Sequence, residues 1–158
     1  MNNILDITKP LGGIIAIIDY KTKPREVFRF PNTVLNQGRI FLAKSLIQEF
    51  QGESTYIANM IFGNGGTSQG SKHIVNADRN SLFGTTKIKK PVIAQVDPQE
   101  PTQAIFTSVI TFEEVNGEIL NEMALQLSDG NLFSMATFPD LGKSEQMQIT
   151  WNWRMSFV

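Results

Sequence analysis

Chemistry-bearing side chains are sparse in this chain of 158 residues. His73 is the single histidine and cysteine is absent. A transition-metal site needs more nitrogen or thiolate ligands than one imidazole supplies. Thiol nucleophiles and disulfides are excluded outright. Ser68 and Ser71 lie close to His73 in sequence, but a Ser–His pair needs a rigidly supported geometry that this Gly/Ser/Asn-rich stretch does not promise. The run Gly63-Asn64-Gly65-Gly66-Thr67 could cradle a phosphate. A phosphate loop, however, requires Lys and then Ser or Thr after its last glycine, opening a helix, and neither follows. No βαβ unit surrounds it, so the dinucleotide fingerprint also fails. The run reads as a tight turn needing positive φ.

The acidic residues Glu113, Glu114, Glu118 and Glu122 flank Asn116-Gly117, a preferred pair for a type I′ hairpin. Such a hairpin would set the first two across from the last two. Paired carboxylates can serve glycoside hydrolysis or bind calcium. No Asp-rich calcium loop is present, and a solvated hairpin end explains three of the four. Glu122 sits mid-strand between Asn121 and Met123, where it would form a buried hydrogen bond or face a partner. No catalytic, cofactor-binding or metal-ligating residue is assigned, and no cofactor is expected.

The elements that position these residues are mostly strands. Met147, Ile149, Trp151, Trp153, Met155 and Phe157 alternate with Gln148, Thr150, Asn152, Arg154 and Ser156. Strand side chains point to opposite faces in turn, so one face is apolar and the other polar. Trp151 and Trp153 share the apolar face and are the expected core anchors. Upstream, the spacing predicts a meander: Ala104 to Val115, a hairpin at Asn116-Gly117, Glu118 to Leu127, a hairpin at Asp129-Gly130, and Asn131 to Phe138, stopped by Pro139-Asp140. With the C-terminal strand this makes one sheet of at least four strands. Gly13 to Tyr20 and Glu26 to Phe30 add two strands joined by Lys21 to Arg25, and Tyr56 to Phe62 adds another.

One helix is expected over about residues 34–50. Asn32 or Asn36 would cap it and Gln51-Gly52 would end it. Leu35, Phe41, Leu42, Leu46, Ile47 and Phe50 form its apolar stripe, and Gly38 on that stripe permits close approach to a sheet. Two long irregular stretches remain, Gly63 to Phe83 and Lys90 to Gln103. Loops of this length are functional or ordered by a partner. Met1 to Pro10 is a candidate N-terminal arm. The expected fold is therefore mainly β: a single-domain antiparallel β-sandwich, with one helix and long docking loops.

Net charge is −1 and charged residues make up 18% of the chain. No basic field exists to attract nucleic acid. The small cluster Lys87, Lys89 and Lys90 reads as a solvated loop face. The N-terminus lacks the basic start of a signal peptide. The apolar run Leu11 to Ile18 is far too short to span a bilayer.

Several motifs occur in a telling order. Ile61-Phe62-Gly63-Asn64-Gly65-Gly66-Thr67 is followed by Arg79-Asn80-Ser81-Leu82-Phe83-Gly84 and Leu120-Asn121-Glu122-Met123-Ala124-Leu125. Gly130 to Pro139, Leu141-Gly142-Lys143 and Ile149-Thr150-Trp151-Asn152-Trp153 come after, and Pro31 to Gly38 precedes them all. This succession resembles small virion structural proteins of tailed bacteriophages, of head-decoration, neck or tail-associated type. The resemblance covers most of the chain from about Pro31 onward. It implies a non-enzymatic protein, made in the host cytoplasm and located in the virion. Its implied partners are capsid, neck or tail proteins and further copies of itself, with no nucleic acid or membrane. Contact would run through loops, the N-terminal arm and sheet edges. Asn64, Arg79, Phe83, Glu122 and Arg154 are the interface candidates, and the two long loops would become ordered only on the particle. The alternative is a receptor- or carbohydrate-binding module of a fibre, using exposed aromatics such as Tyr20, Tyr56 or Phe83.

Overall fold

The period-two alternation of the C-terminal segment becomes the central strand of a sheet, and its apolar face closes a sandwich. The computed structural model describes residues 10–47 and 54–157. In chain order the elements are β1 (Pro10–Tyr20), β2 (Glu26–Pro31), β3 (Thr33–Val34), α1 (Asn36–Ile47), β4 (Ile57–Gly63), β5 (Thr67–Ser68), β6 (Ser71–Lys72), β7 (Thr86–Pro91), β8 (Ile93–Val96), β9 (Gln103–Ile110), β10 (Ile119–Leu127), β11 (Leu132–Gly142) and β12 (Met147–Phe157). Two five-stranded sheets form, ordered β2-β1-β12-β9-β8 and β3-β11-β10-β4-β7, while β5 and β6 make a separate small hairpin. The pairings within them are antiparallel.

β12 is paired on both sides. Trp153 lies opposite Ile14 of β1 and Phe106 of β9, and Trp151 opposite Ala16 and Ser108. Both indoles are at most 1% exposed. The Trp151 ring lies 4.9 Å from Phe62 and 5.3 Å from Phe138, which come from the facing sheet. Burying an aromatic side chain of this size removes roughly 200 Å² from water, worth on the order of 5 kcal/mol as an upper estimate. The fold class and the core role of both tryptophans are as the alternation predicted.

The single meander does not form. β9 and β10 lie in different sheets, so the segment between them crosses from one layer to the other. A type I′ turn needs positive φ at Asn116 and Gly117, but positive φ falls at Val115 and Gly117. The crossing is instead held from β11 and the loop after it. Lys143 is 2% exposed, and its amine donates to Asn116 Oδ1 at 2.8 Å and to the carbonyls of Ser144 and Phe112 at 2.9 and 3.4 Å. The acids therefore do not converge: Glu114 pairs with Lys90 and Glu118 with Lys87. These lysines sit on strand β7, not on a loop. The Asp129-Gly130 hairpin forms as expected between β10 and β11. β11, however, runs on past Pro139-Asp140 to Gly142, with an irregularity in its pairing to β10 that accommodates the proline.

Helix α1 begins later than expected, since Val34 belongs to β3. Arg39 N–H donates to the Leu35 carbonyl, and no capping bond from the Asn32 or Asn36 side chain occurs among the described residues. The expected C-terminal stop and Phe50 lie outside the described residues, as does the candidate arm up to Lys9. The apolar stripe is largely unburied. Gly38 is the buried residue of the helix, Phe41 and Leu42 are half-buried, and Leu46 and Ile47 are 87% and 69% exposed. The close approach at Gly38 is real: a Cβ there would run into the Phe133 carbonyl.

The two long stretches are folded in the chain by itself, contrary to the expectation that they order only on a particle. β8 occupies part of the second. The first covers the outer face of the sheet that contains β10, where Leu82 joins Leu35, Ile61, Ala124, Leu132 and Met135 in a second small apolar cluster.

Candidate functional site

β10 is the central strand of its sheet, with β11 on one side and β4 on the other. Alternation sends Met123 and Leu125 toward the main core and Glu122 and Ala124 to the outer face. That face would be solvent in a simple sandwich. Here the chain from Gly63 to Thr85 folds back over it, so Glu122 is 0% exposed. Its carboxylate accepts three backbone N–H bonds. Gly65 and Gly84 donate to Oε1 at 2.9 and 2.8 Å, and Phe83 donates to Oε2 at 2.7 Å. One side chain thus ties both ends of the loop to the sheet, by charge-assisted bonds stronger than neutral ones.

Asn121 works beside it. Its Oδ1 accepts from Gly66 N–H at 2.7 Å. Its Nδ2 donates to Asp140 Oδ1 at 3.0 Å, Thr67 Oγ1 at 3.1 Å and the Asn64 carbonyl at 3.3 Å. The Thr67 hydroxyl also donates to Asp140 at 2.6 Å. That bond, and then the one from Asn121, hold the Asp140 carboxyl below its ordinary value. The glycine run is explained by this packing and not by the expected positive φ. A Cβ on Gly65 would meet the Gly84 backbone, and one on Gly66 the Asn121 carbonyl. Positive φ occurs instead at Gln69 and Gly70, the tip of the β5–β6 hairpin.

The clasp carries a stack of half-buried side chains. The Arg79 guanidinium lies 3.6 Å from the centre of the Phe83 ring, and the His73 imidazole stacks on that ring at 4.8 Å. Arg79 also donates to the carbonyls of Ser81 and Leu82 at 3.0 and 3.1 Å. Asn64 is exposed on the same loop. The structure therefore brings Asn64, Arg79 and Phe83 together, with Glu122 beneath them as the residue that holds the loop. Arg154 is not part of this cluster. It lies on the outer face of the other sheet, with its guanidinium 3.7 Å from the Asp97 carboxylate.

Gly66-Thr67-Ser68-Gln69-Gly70 spells the Gly-x-Ser-x-Gly pattern of a nucleophile elbow. Its setting is wrong for that chemistry: Ser68 lies on the exposed β5–β6 hairpin, whereas the elbow is a strand-to-helix turn. Among the described residues no group of three or more His, Asp or Glu side chains could hold a metal ion, and no helix is long and apolar enough to cross a membrane.

A buried carboxylate engaged by three loop amides fixes the loop that carries the Arg79–Phe83–His73 stack. A family model described as phage tail-collar fibre protein, N-terminal, matches residues 30–155 of the chain. The chain belongs to that family. No curated protein and no solved structure matches it. Tail-collar fibre proteins are structural and non-enzymatic, so this is a structural protein of the phage tail and a component of the virion. The family match spans Asn64, Arg79, Phe83, Glu122, Trp151, Trp153 and Arg154.

Reading the sequence alone missed Asn121 and Lys143 as individual side chains. Asn121 carried a signal, since an Asn-Glu pair inside a strand with apolar neighbours puts polar groups where both faces can be covered. Lys143 stood only within the Leu141-Gly142-Lys143 motif, and nothing in its neighbours marks the carbonyls that its amine meets.

Proposed function

We propose that this tail-collar fibre family member is a non-enzymatic docking module, which joins neighbouring tail proteins and further copies of itself. Contact runs through the Asn64–Arg79–Phe83 surface, the open sheet edges and the segment before Pro10. Synthesis in the host cytoplasm precedes assembly. The observation that carries this reading is the clasp at Glu122. A carboxylate with three backbone donors holds a loop in one shape, and a preshaped loop binds with less ordering cost. A sugar-binding role draws less support, because Phe83 already stacks with His73 and Arg79 and so does not offer a free ring to a sugar. Purified protein mixed with tails assembled without it should co-sediment with them at a fixed copy number. A protein that stays monomeric and never associates with tails would overturn the proposal.

A further inference from the structure

One end of the sandwich is open between the sheets. β1 starts and β12 finishes there, with Pro10 opposite Phe157 and Gly12 opposite Met155. A groove of about 340 Å³ runs into this end, walled by Leu42, Tyr56, Phe106, Phe133, Met155 and Phe157 among others. Among the described residues its wall holds no charged side chain. The apolar surface continues beyond it. Tyr56 is 59% exposed at the rim, and Leu46, one helical turn past Leu42, is 87% exposed. Contiguous apolar surface of this kind marks a binding site.

Two stretches outside the described residues join the chain beside this groove: residues 1–9, before Pro10, and residues 48–53, between α1 and β4. Their compositions differ. Residues 48–53 read Gln-Glu-Phe-Gln-Gly-Glu, one apolar side chain among two carboxylates. Residues 1–9 carry Ile4, Leu5 and Ile7. A wall without charge favours burial of aliphatic side chains and leaves a carboxylate without a partner. Phe157 belongs to the wall and is also the strand partner of Pro10. The groove therefore begins where the first segment joins β1.

We propose that residues 4–7 lie in the groove of their own chain. Successive side chains of an extended segment point to opposite sides, so Leu5 and Ile7 enter the groove together and Asp6 faces water. The tether selects this chain over another copy. A segment joined by so few residues meets its own groove at an effective concentration in the millimolar range, above that of free copies at micromolar protein. The inference goes beyond the docking role proposed above. It makes the segment before Pro10 a fixed part of the surface that neighbours meet, as Glu122 does for the loop from Gly63 to Thr85.

The chain has no cysteine, so an introduced pair reports a single contact. The full chain is made with Asp6→Cys and Tyr56→Cys, which leaves Ile4, Leu5 and Ile7 in place. The control carries Asp6→Cys and Ser156→Cys. Ser156 lies opposite Leu11, next to Phe157 but on the outer face of its sheet, so a loosely held segment reaches it at least as readily. Under mild oxidation at micromolar protein, the Tyr56 pair should close an intramolecular disulfide at least about tenfold faster than the control. Adding Leu5→Asp should remove that advantage, with the circular dichroism of the reduced proteins unchanged. Equal rates for the two pairs, or an advantage that persists with Leu5→Asp, overturns the inference. Disulfide-linked dimers as the main product of the Tyr56 pair would assign the groove to the segment of a second copy and overturn it too. Tail co-sedimentation tests the docking role separately: wild type that never joins tails sinks that role and leaves the groove standing.

Discussion

Glu122 shows how much one buried side chain can organise. Its two oxygens satisfy backbone donors from both ends of a loop more than twenty residues long. Glu122→Gln keeps the shape but swaps one acceptor oxygen for an N–H₂ group that faces an N–H donor. An unsatisfied buried donor costs about 1–3 kcal/mol, so the variant should lose that much in urea unfolding. Hydrogen exchange should accelerate at Gly65, Phe83 and Gly84 but not in β12. Uniform acceleration would mean that the residue supports the whole core and not the loop. The sequence marked Glu122 as exceptional because an acid stood mid-strand. It could not name the partners, because backbone N–H groups at positions 65, 83 and 84 look like those of any other residue until the loop is placed.

At the level of elements, helix α1 rests on the sheet through Gly38 rather than through a leucine stripe. Gly38→Ala weighs two effects against each other. Alanine improves helix propensity by about 1 kcal/mol, but its Cβ would strike the Phe133 carbonyl. Forced overpacking typically costs 1–3 kcal/mol, and a backbone oxygen cannot swing aside as a side chain does. We expect net destabilisation in thermal unfolding, together with loss of the edge-on Phe41–Phe133 ring contact seen at 5.9 Å. A stabilised variant would mean that the helix shifts freely on the sheet. Local patterns identified this glycine, the β1–β2 pair and the Asp129-Gly130 hairpin. They misjudged Asn116-Gly117, because a favourable turn pair does not say whether the strands it joins will share a sheet. That choice is made by Lys143 and the layer each strand buries into.

Across the whole molecule, both tryptophans project from β12 into the space between the sheets. Trp153→Asp would place a charge at a site with 0% exposure. Truncating a buried tryptophan alone costs about 3–5 kcal/mol, and a buried unpaired charge adds to that. Against the typical stability of 5–15 kcal/mol for a domain, the variant should be largely unfolded by circular dichroism at 25 °C. Asn152→Asp is the matched control: Asn152 Oδ1 accepts from Thr107 Oγ1 at 3.0 Å, an interaction a carboxylate retains, so the fold should survive. An intact Trp153→Asp protein would contradict the two-layer core.

The sequence alone determined that the chain is β-rich, which residues of β12 turn inward, and that its acids and lone histidine form no recognisable catalytic set. These follow from local rules, in which side chains alternate along a strand and chemistry requires particular residue types. Only the tertiary structure decided that β9 and β10 part into separate layers. It also decided that the outer face of β10 is roofed by its own loop and that β1 starts beside an apolar groove. Each of these depends on contacts between residues far apart in the chain, and such contacts form only where both partners gain by leaving water together.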